Sequence, residues 1–273
     1  MSRPRVIPGF GLTLGVTLIF LGLAILLPLG ALVLKTAGLT WFQFWDYASD
    51  PRALATYRVT LSCAVAATAI NVVLGVLVAW ILVRYEFPGR RLLDAAMDLP
   101  FALPTAVAGI ALATLTVPQG PVGALFTPFG IKIAYAFPGI ILAMTFTSLP
   151  FVVRTVQPVL ADIEPALEEA ADSLGAGPFT IFRRVILPEL RPAILAGATL
   201  ALVRSLGEFG AVVFIAGNLP FQTEISALLI YIRMDEFDYV GAAALATVIL
   251  SFALLVLVTM NVIQSRLYRR VHA

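Results

Sequence analysis

EAADSLGAGPFTIFRRVILP, residues 169–188, is a polar interruption between apolar runs, and its punctuation specifies a pair of short helices. Just upstream, Pro165 suits a first helical position, where its missing N–H leaves no hydrogen bond unmade. Glu164, Glu168 and Glu169 place negative charge near the positive end of that helix dipole. Gly175 fits the left-handed turn that closes the helix. After Gly177, Pro178 opens a second helix, and Pro188 is expected to end it. The segment reads as a helical hairpin standing clear of the apolar sequence on either side.

That surrounding sequence fixes the class. The 273 residues are 60% hydrophobic and 12% charged, with mean hydropathy +0.97, too apolar for a soluble domain of this length. About 20 apolar residues cross a bilayer as a helix. Apolar runs of that order, with few or no charges, recur at 12–34, 59–83, 95–117, 137–153, 193–216 and 241–263. Backbone polar groups in lipid must pair within their own segment, so each run is expected to be a helix. The expectation is an all-α, six-span membrane protein in one domain, 1–273, with its core over 57–263 and a polar loop over 154–192. The first run exceeds a signal-peptide core and has no small-residue cleavage site after it, so it is read as a retained helix.

Arginine and lysine placement sets the orientation. With both termini and the loops 84–94 and 154–192 on one side, that side holds twelve basic residues: Arg3, Arg5, Arg84, Arg90, Arg91, Arg154, Arg183, Arg184, Arg191, Arg266, Arg269 and Arg270. The other side holds five: Lys35, Arg52, Arg58, Lys132 and Arg233. This asymmetry places both termini, and the 169–188 hairpin, in the cytoplasm. Flanking helix ends as they do, the arginines are read as topology anchors, and nothing in the charge points to nucleic acid.

Several chemistries are excluded. The two lysines, Lys35 and Lys132, lie in no phosphate-loop context. The single histidine, His272, sits in the tail, which removes histidine metal clusters and Ser-His triads. The lone cysteine, Cys63, lies within the second span and has no intrachain disulfide partner. The chain is therefore not read as an enzyme, and energy must come from a partner or an ion gradient.

Packing and pore features remain. Cys63, Ala67, Asn71, Gly75 and Ala79 recur every four residues, a small-residue stripe of the kind that lets membrane helices approach closely. Ala193, Gly197, Ala201 and Ser205 form a second stripe. Trp41, Phe42, Phe44, Trp45 and Tyr47 read as an aromatic belt at the headgroup level. In the 217–240 loop the apolar stretch 225–232 precedes Asp235, Glu236 and Asp238, as a lid, a docking surface or a connector. Arg204 and Glu208 stand out near the centre of the fifth span, four residues apart and so on one helix face. Each charge at a span centre costs about 2.5–3.5 kcal/mol on insertion scales, so both are expected to face the interior and to touch. A structural ion pair and, with Ser205, a gate or translocation path both remain open readings.

The hairpin resembles the EAA motif of bacterial ATP-binding cassette (ABC) importer permeases. Glu169, Ala170, Ala171, Gly175, Leu187 and Pro188 carry the likeness, and Val185 stands where that family usually has Ile; those six with Leu174 are the implied ATPase-docking residues. The resemblance implies a type I importer fold and a first hairpin helix that docks in a groove of an ATPase subunit, which binds ATP and Mg; this chain itself would hold no cofactor. Leu206-Gly207-Glu208-Phe209-Gly210 after a mid-span arginine resembles the oxyanion branch. Phe214-Ile215-Ala216-Gly217-Asn218, Thr223-Glu224-Ile225 and Pro8-Gly9-Phe10-Gly11-Leu12 are closest to the T-type permeases of sulfate/thiosulfate importers. The implied partners are a second, W-type permease subunit, two ATPase subunits, an external sulfate-binding protein and the lipid of the bacterial inner membrane. The alternatives are a molybdate or other oxyanion permease and, with no use for such a hairpin, a secondary transporter. The external face carries about one net negative charge, which fits delivery of the anion by a binding protein better than steering by the permease's own field.

Overall fold

A computed structural model of the chain describes residues 10–271, with side chains described through Gln264. Arg3, Arg5, Pro8, Gly9 and His272 lie outside the described residues, as do the side chains of Arg266, Arg269 and Arg270. Among the described residues all regular structure is helical.

The first helix, α1 (Phe10–Ala37), has no buried residue in the apolar window that qualifies it as a membrane span. It meets the rest of the chain where Thr36 Oγ1 lies 2.8 Å from Thr247 Oγ1. The short α2 (Trp41–Ala48) carries the aromatic cluster and opens with a capping box, in which Thr40 and Gln43 satisfy each other's backbone N–H groups. Helix α3 (Pro51–Arg84) starts at Asp50, whose carboxylate accepts the Arg52 N–H at 3.0 Å. Pro51 occupies the first turn, where no N–H is needed.

The third apolar run does not form one span. It divides into α4 (Arg90–Ala96), α5 (Leu99–Ala102) and α6 (Thr105–Thr116). Pro100 and Pro104 are the cause, since each removes an N–H and restricts the residue before it. At 12 residues α6 is about 18 Å long, short of a hydrocarbon core of about 30 Å. After the single-turn α7 (Gly123–Phe126), α8 (Phe137–Asp162) runs through Pro150 and Pro158, past the expected boundary at Val153 and into the expected loop.

The hairpin follows as α9 (Pro165–Ser173) and the start of α10 (Pro178–Leu206). Here Pro188 does not end a helix. The backbone widens into a π-turn over Phe182–Ile186, with the Leu187 N–H bonded to Phe182 O, and α-helix resumes through Pro188 and Pro192. Widening at Arg184, four residues before Pro188, gives the proline ring room that a regular turn lacks. The same device recurs in α1, where a π-turn over Gly22–Leu26 precedes Pro28.

The fifth run also breaks. Helix α10 stops at Leu206, Gly207–Phe209 are non-helical, and α11 (Gly210–Ile215) resumes. Helix α12 (Ser226–Asp235) lies in the 217–240 loop, and α13 (Tyr239–Val271) completes the chain. Among the described residues five helices are long and apolar enough to cross a membrane: α1, α3, α8, α10 and residues 239–264 of α13; α6 is a shorter apolar helix.

The core centres on α8, which packs against α3 and α10. The predicted stripe on α3 is buried along its length. A Cβ at Gly75 would sit 2.7 Å from Val152 Cγ1, and one at Gly197 would sit 2.9 Å from Val152 Cα. Val152 is thus held between two glycines, one from each flanking helix, and without them the three axes would have to separate.

Candidate docking hairpin and intramembrane ion pair

The hairpin is built as its punctuation specifies. Pro165 opens α9 after Glu164. At the far end Gly175 takes φ +81°, its N–H bonds Asp172 O at 2.8 Å, and the Ala176 N–H bonds Ala171 O at 3.1 Å. These two bonds form the glycine-closed turn that pairs carbonyls left over by the helix. Nothing crowds Gly175, so the left-handed backbone itself is what demands glycine there. Glu169, Ala170 and Gly175 are exposed, and Ala171 is half-buried. Leu174 is 89% exposed and Phe179 75% exposed, an apolar pair at the bend of a polar hairpin. Leu187 and Pro188 lie half-buried within α10, so they shape the second arm while residues 169–175 form the accessible edge. Ile186 and Leu190 are buried in one cluster with Val156 and Leu160 of α8, which seats the hairpin on the bundle.

Arg204 and Glu208 do meet, with Nη1 2.6 Å from Oε2. Their setting differs from the expected single helix face, because Glu208 lies beyond the end of α10. Its other oxygen, Oε1, accepts the Ala211 N–H at 3.0 Å and so caps α11. The contact with Arg204 is a charge pair without hydrogen-bond alignment at Oε2. Glu208 is 1% exposed, whereas the Arg204 side chain is 35% exposed, so one partner is enclosed and the other borders an open face. Ser205 points elsewhere. Fully buried, it donates to Ser148 Oγ at 3.1 Å, while Asn71 Nδ2 donates to the same oxygen at 2.7 Å. This polar knot joins α3, α8 and α10.

The two broken runs cross each other. A Cβ at Gly109 of α6 would strike the Ala211 carbonyl oxygen and lie 2.8 Å from Ala211 Cα, and one at Gly210 would strike Thr105 Oγ1. Helices α6 and α11 therefore touch backbone to backbone, directly beside the carboxylate that caps α11.

Three further clusters escaped the reading of the sequence. Arg52 grips Glu224 with both arms, Nε to Oε2 at 2.8 Å and Nη2 to Oε1 at 2.6 Å, and Glu224 is fully enclosed. Arg233 joins Asp50 at 2.9 Å to Asp238 at 3.0 Å. Arg154, read as a topology anchor, binds Asp94 at 2.6 Å and Asp98 at 2.7 Å, and its guanidinium holds the Asp94 carboxyl below the usual carboxylate range. The only signal for these was opposite charge near helix ends, and apart from Arg233 and Asp238 the partners lie too far apart in sequence for spacing to pair them.

Apolar helices around a close-packed three-helix centre, with an exposed helical hairpin on one end, define an integral membrane subunit of the ABC importer permease class. Residues 71–272 match the family described as binding-protein-dependent transport system inner membrane component, and the chain belongs to that family. It is 55% identical over 271 residues, covering 99% of this chain and 98% of the relative, to the sulfate transport system permease protein CysT of Salmonella typhimurium. It is 50% identical over 249 residues, 91% of this chain and 87% of the relative, to the protein of the same description from Synechocystis. Among solved structures, a bacterial alginate ABC transporter in complex with an alginate pentasaccharide-bound periplasmic protein matches with TM-score 0.77 over 94% of each chain at 18% identity. The MetNI methionine ABC transporter in an inward-facing conformation matches with TM-score 0.58, over 84% of this chain and 99% of that one, at 18% identity. At such identity the structures establish the fold. It is the type I importer permease fold that the sequence resemblance implied, and the family is one of multi-pass inner-membrane proteins.

Proposed function

We propose that this chain is one of two permease subunits of an ATP-driven importer that carries sulfate and thiosulfate across the bacterial inner membrane. The observation that carries this reading is the 55% identity, over essentially the full length of both chains, to a sulfate transport permease. In this reading the chain takes six crossings with both termini in the cytoplasm, the broken α4–α6 stretch making the third. A W-type subunit completes the pore, an external sulfate-binding protein delivers the anion, and two ATPase subunits bind ATP and Mg. The exposed edge Glu169, Ala170, Ala171, Leu174 and Gly175 enters a groove of the ATPase, with Leu187 and Pro188 setting the angle of the second arm.

Arg204, with Glu208 and Ser205 beside it, borders the translocation path. Its side chain keeps an open face while its charge is balanced by an enclosed carboxylate. That arrangement would let a dianion pass a cation without a permanent trap. A planar guanidinium also suits oxyanions better than an ammonium does.

Reconstituted vesicles holding the permease pair, the ATPase and the binding protein test the reading. ATP-dependent uptake of radiolabelled sulfate, competed by thiosulfate and not by molybdate, is expected. Competition by molybdate at equal concentration would move the chain to the molybdate branch. Uptake without a co-purifying ATPase would sink the importer reading altogether.

A further inference from the structure

Both arms of the hairpin are tied to one end of α3 by a chain of contacts that uses no residue of the EAA motif. Glu168, which precedes the motif, forms an ion pair with Arg84, the last residue of α3. The Arg84 guanidinium lies over the Trp80 ring, one helical turn back, at 5.6 Å from its centroid. Trp80 in turn meets Phe182 edge to face, with centroids 5.5 Å apart and planes at 79°. Phe182 is the first residue of the π-turn in α10. Arm one, the end of α3 and arm two are thereby joined through a single guanidinium and a single indole.

We infer that Glu168, Arg84 and Trp80 are positioning residues that transmit movement of the docked hairpin to α3. The inference rests on the ATPase-docking reading above. Without such a tie, α9 is held mainly by the chain leading into it, because it buries no residue of its own. A short helix so held would swivel under load. The ion pair fixes its azimuth, and the Trp80–Phe182 contact holds the second arm to the same point. Arg84 is also committed to this geometry, since its Nε is buried without a hydrogen-bond partner. Its charge is balanced by Glu168 and by the negative face of the indole. Helix α3 then carries the displacement inward along its buried stripe to Asn71, in the knot with Ser148 and Ser205.

A coupling measurement on the complete importer in vesicles separates this role from simple structural support. Arg84→Gln, Glu168→Gln and Trp80→Leu are compared with Gly175→Val for ATPase co-purification, ATP hydrolysis and sulfate uptake. The three chain variants are expected to keep the ATPase bound and hydrolysing, with uptake per ATP reduced about five- to ten-fold, the scale of one partly buried ion pair or cation–π contact. Arg84→Gln combined with Glu168→Gln is expected to be no worse than either alone, since both remove the same link. Unchanged uptake per ATP in Glu168→Gln, a change at a half-buried position of the outer helix α9 that leaves the spans intact, overturns the inference, as does loss of uptake and hydrolysis in equal proportion. Gly175→Val reports on the docking reading itself: if it too retains normal ATPase binding and uptake, that reading fails, independently of the link between Glu168 and Arg84.

Discussion

Arg204 and Glu208 make an ion pair with very unequal halves, and replacing either side should have very unequal effects. Arg204→Met removes the cation and leaves a 1%-exposed carboxylate with only the Ala211 N–H to balance it. Stranding a buried charge in this way costs about 3–5 kcal/mol. Glu208→Gln leaves an amide oxygen in place to accept the Ala211 N–H, so α11 keeps its cap. The cation left behind is one-third exposed and can turn toward the open face. The loss there is one charge-assisted contact, about 1–3 kcal/mol. The difference of about 2 kcal/mol corresponds to about 4–8 °C in melting temperature for a protein of this size. Thermal unfolding of the detergent-purified complex, followed by tryptophan fluorescence, should show Arg204→Met melting lower than Glu208→Gln by that margin. The double change should recover most of the loss, because no charge is then stranded. Equal melting temperatures for the two single variants would refute the view that Glu208 is the enclosed partner. Transport adds a second reading. If Arg204 meets the anion, the stable double variant will fold and still fail to take up sulfate.

Gly109→Ala should destabilise the chain by about 1–3 kcal/mol, since the new methyl meets the Ala211 main chain, which has no rotamer to change; a melting temperature at or above the parent value would contradict the backbone contact between α6 and α11. Glu224→Ala should leave Arg52 without its two-armed partner and loosen α12, measured as faster protease cleavage within residues 217–240 of the assembled protein; unchanged cleavage would count against an anchoring role. Reporter fusions after Ser49, Thr127 and Phe221 should read external and those after Arg90 and Gly177 internal, and two reversals would defeat the six-crossing arrangement.

The hairpin was legible because its signals are local. A proline at a first turn, a glycine at a left-handed position and acids near a helix start each act within one turn of chain, and α9 follows them residue for residue. Pro188 misled for a related reason. A proline announces a conflict with the preceding turn, and the widened backbone over Phe182–Ile186 resolves that conflict without ending the helix. The break at Gly207–Phe209 carried a weaker mark, two glycines around a glutamate inside an apolar run whose only other charge is Arg204. What stabilises it is partly local, the Glu208 carboxylate capping α11 through the Ala211 N–H, and partly tertiary, the approach of Gly109 to Ala211, and no periodicity reports the second. The pairing of Arg52 with Glu224 was equally invisible, although both residues could be assigned to the same side of the membrane. Charge asymmetry sorts residues by side and is silent on which of them touch.

The slot that holds Val152 has two walls of different kinds, and they give the two glycines different evolutionary freedom. Opposite Gly75 the obstacle is a side chain, its Cβ included at 2.8 Å, so a larger residue at 75 can arise in a lineage that first takes glycine at position 152. Opposite Gly197 the obstacle is the α8 main chain, which no substitution at 152 can move. Position 75 can therefore drift as one half of a covarying pair, while position 197 can change only if α8 and α10 themselves shift apart. A library randomised jointly at 75 and 152 and selected for growth on limiting sulfate should return, beside glycine at 75, clones in which a small residue at 75 is paired with glycine at 152. The same library built at 197 and 152 should return glycine at 197 almost every time.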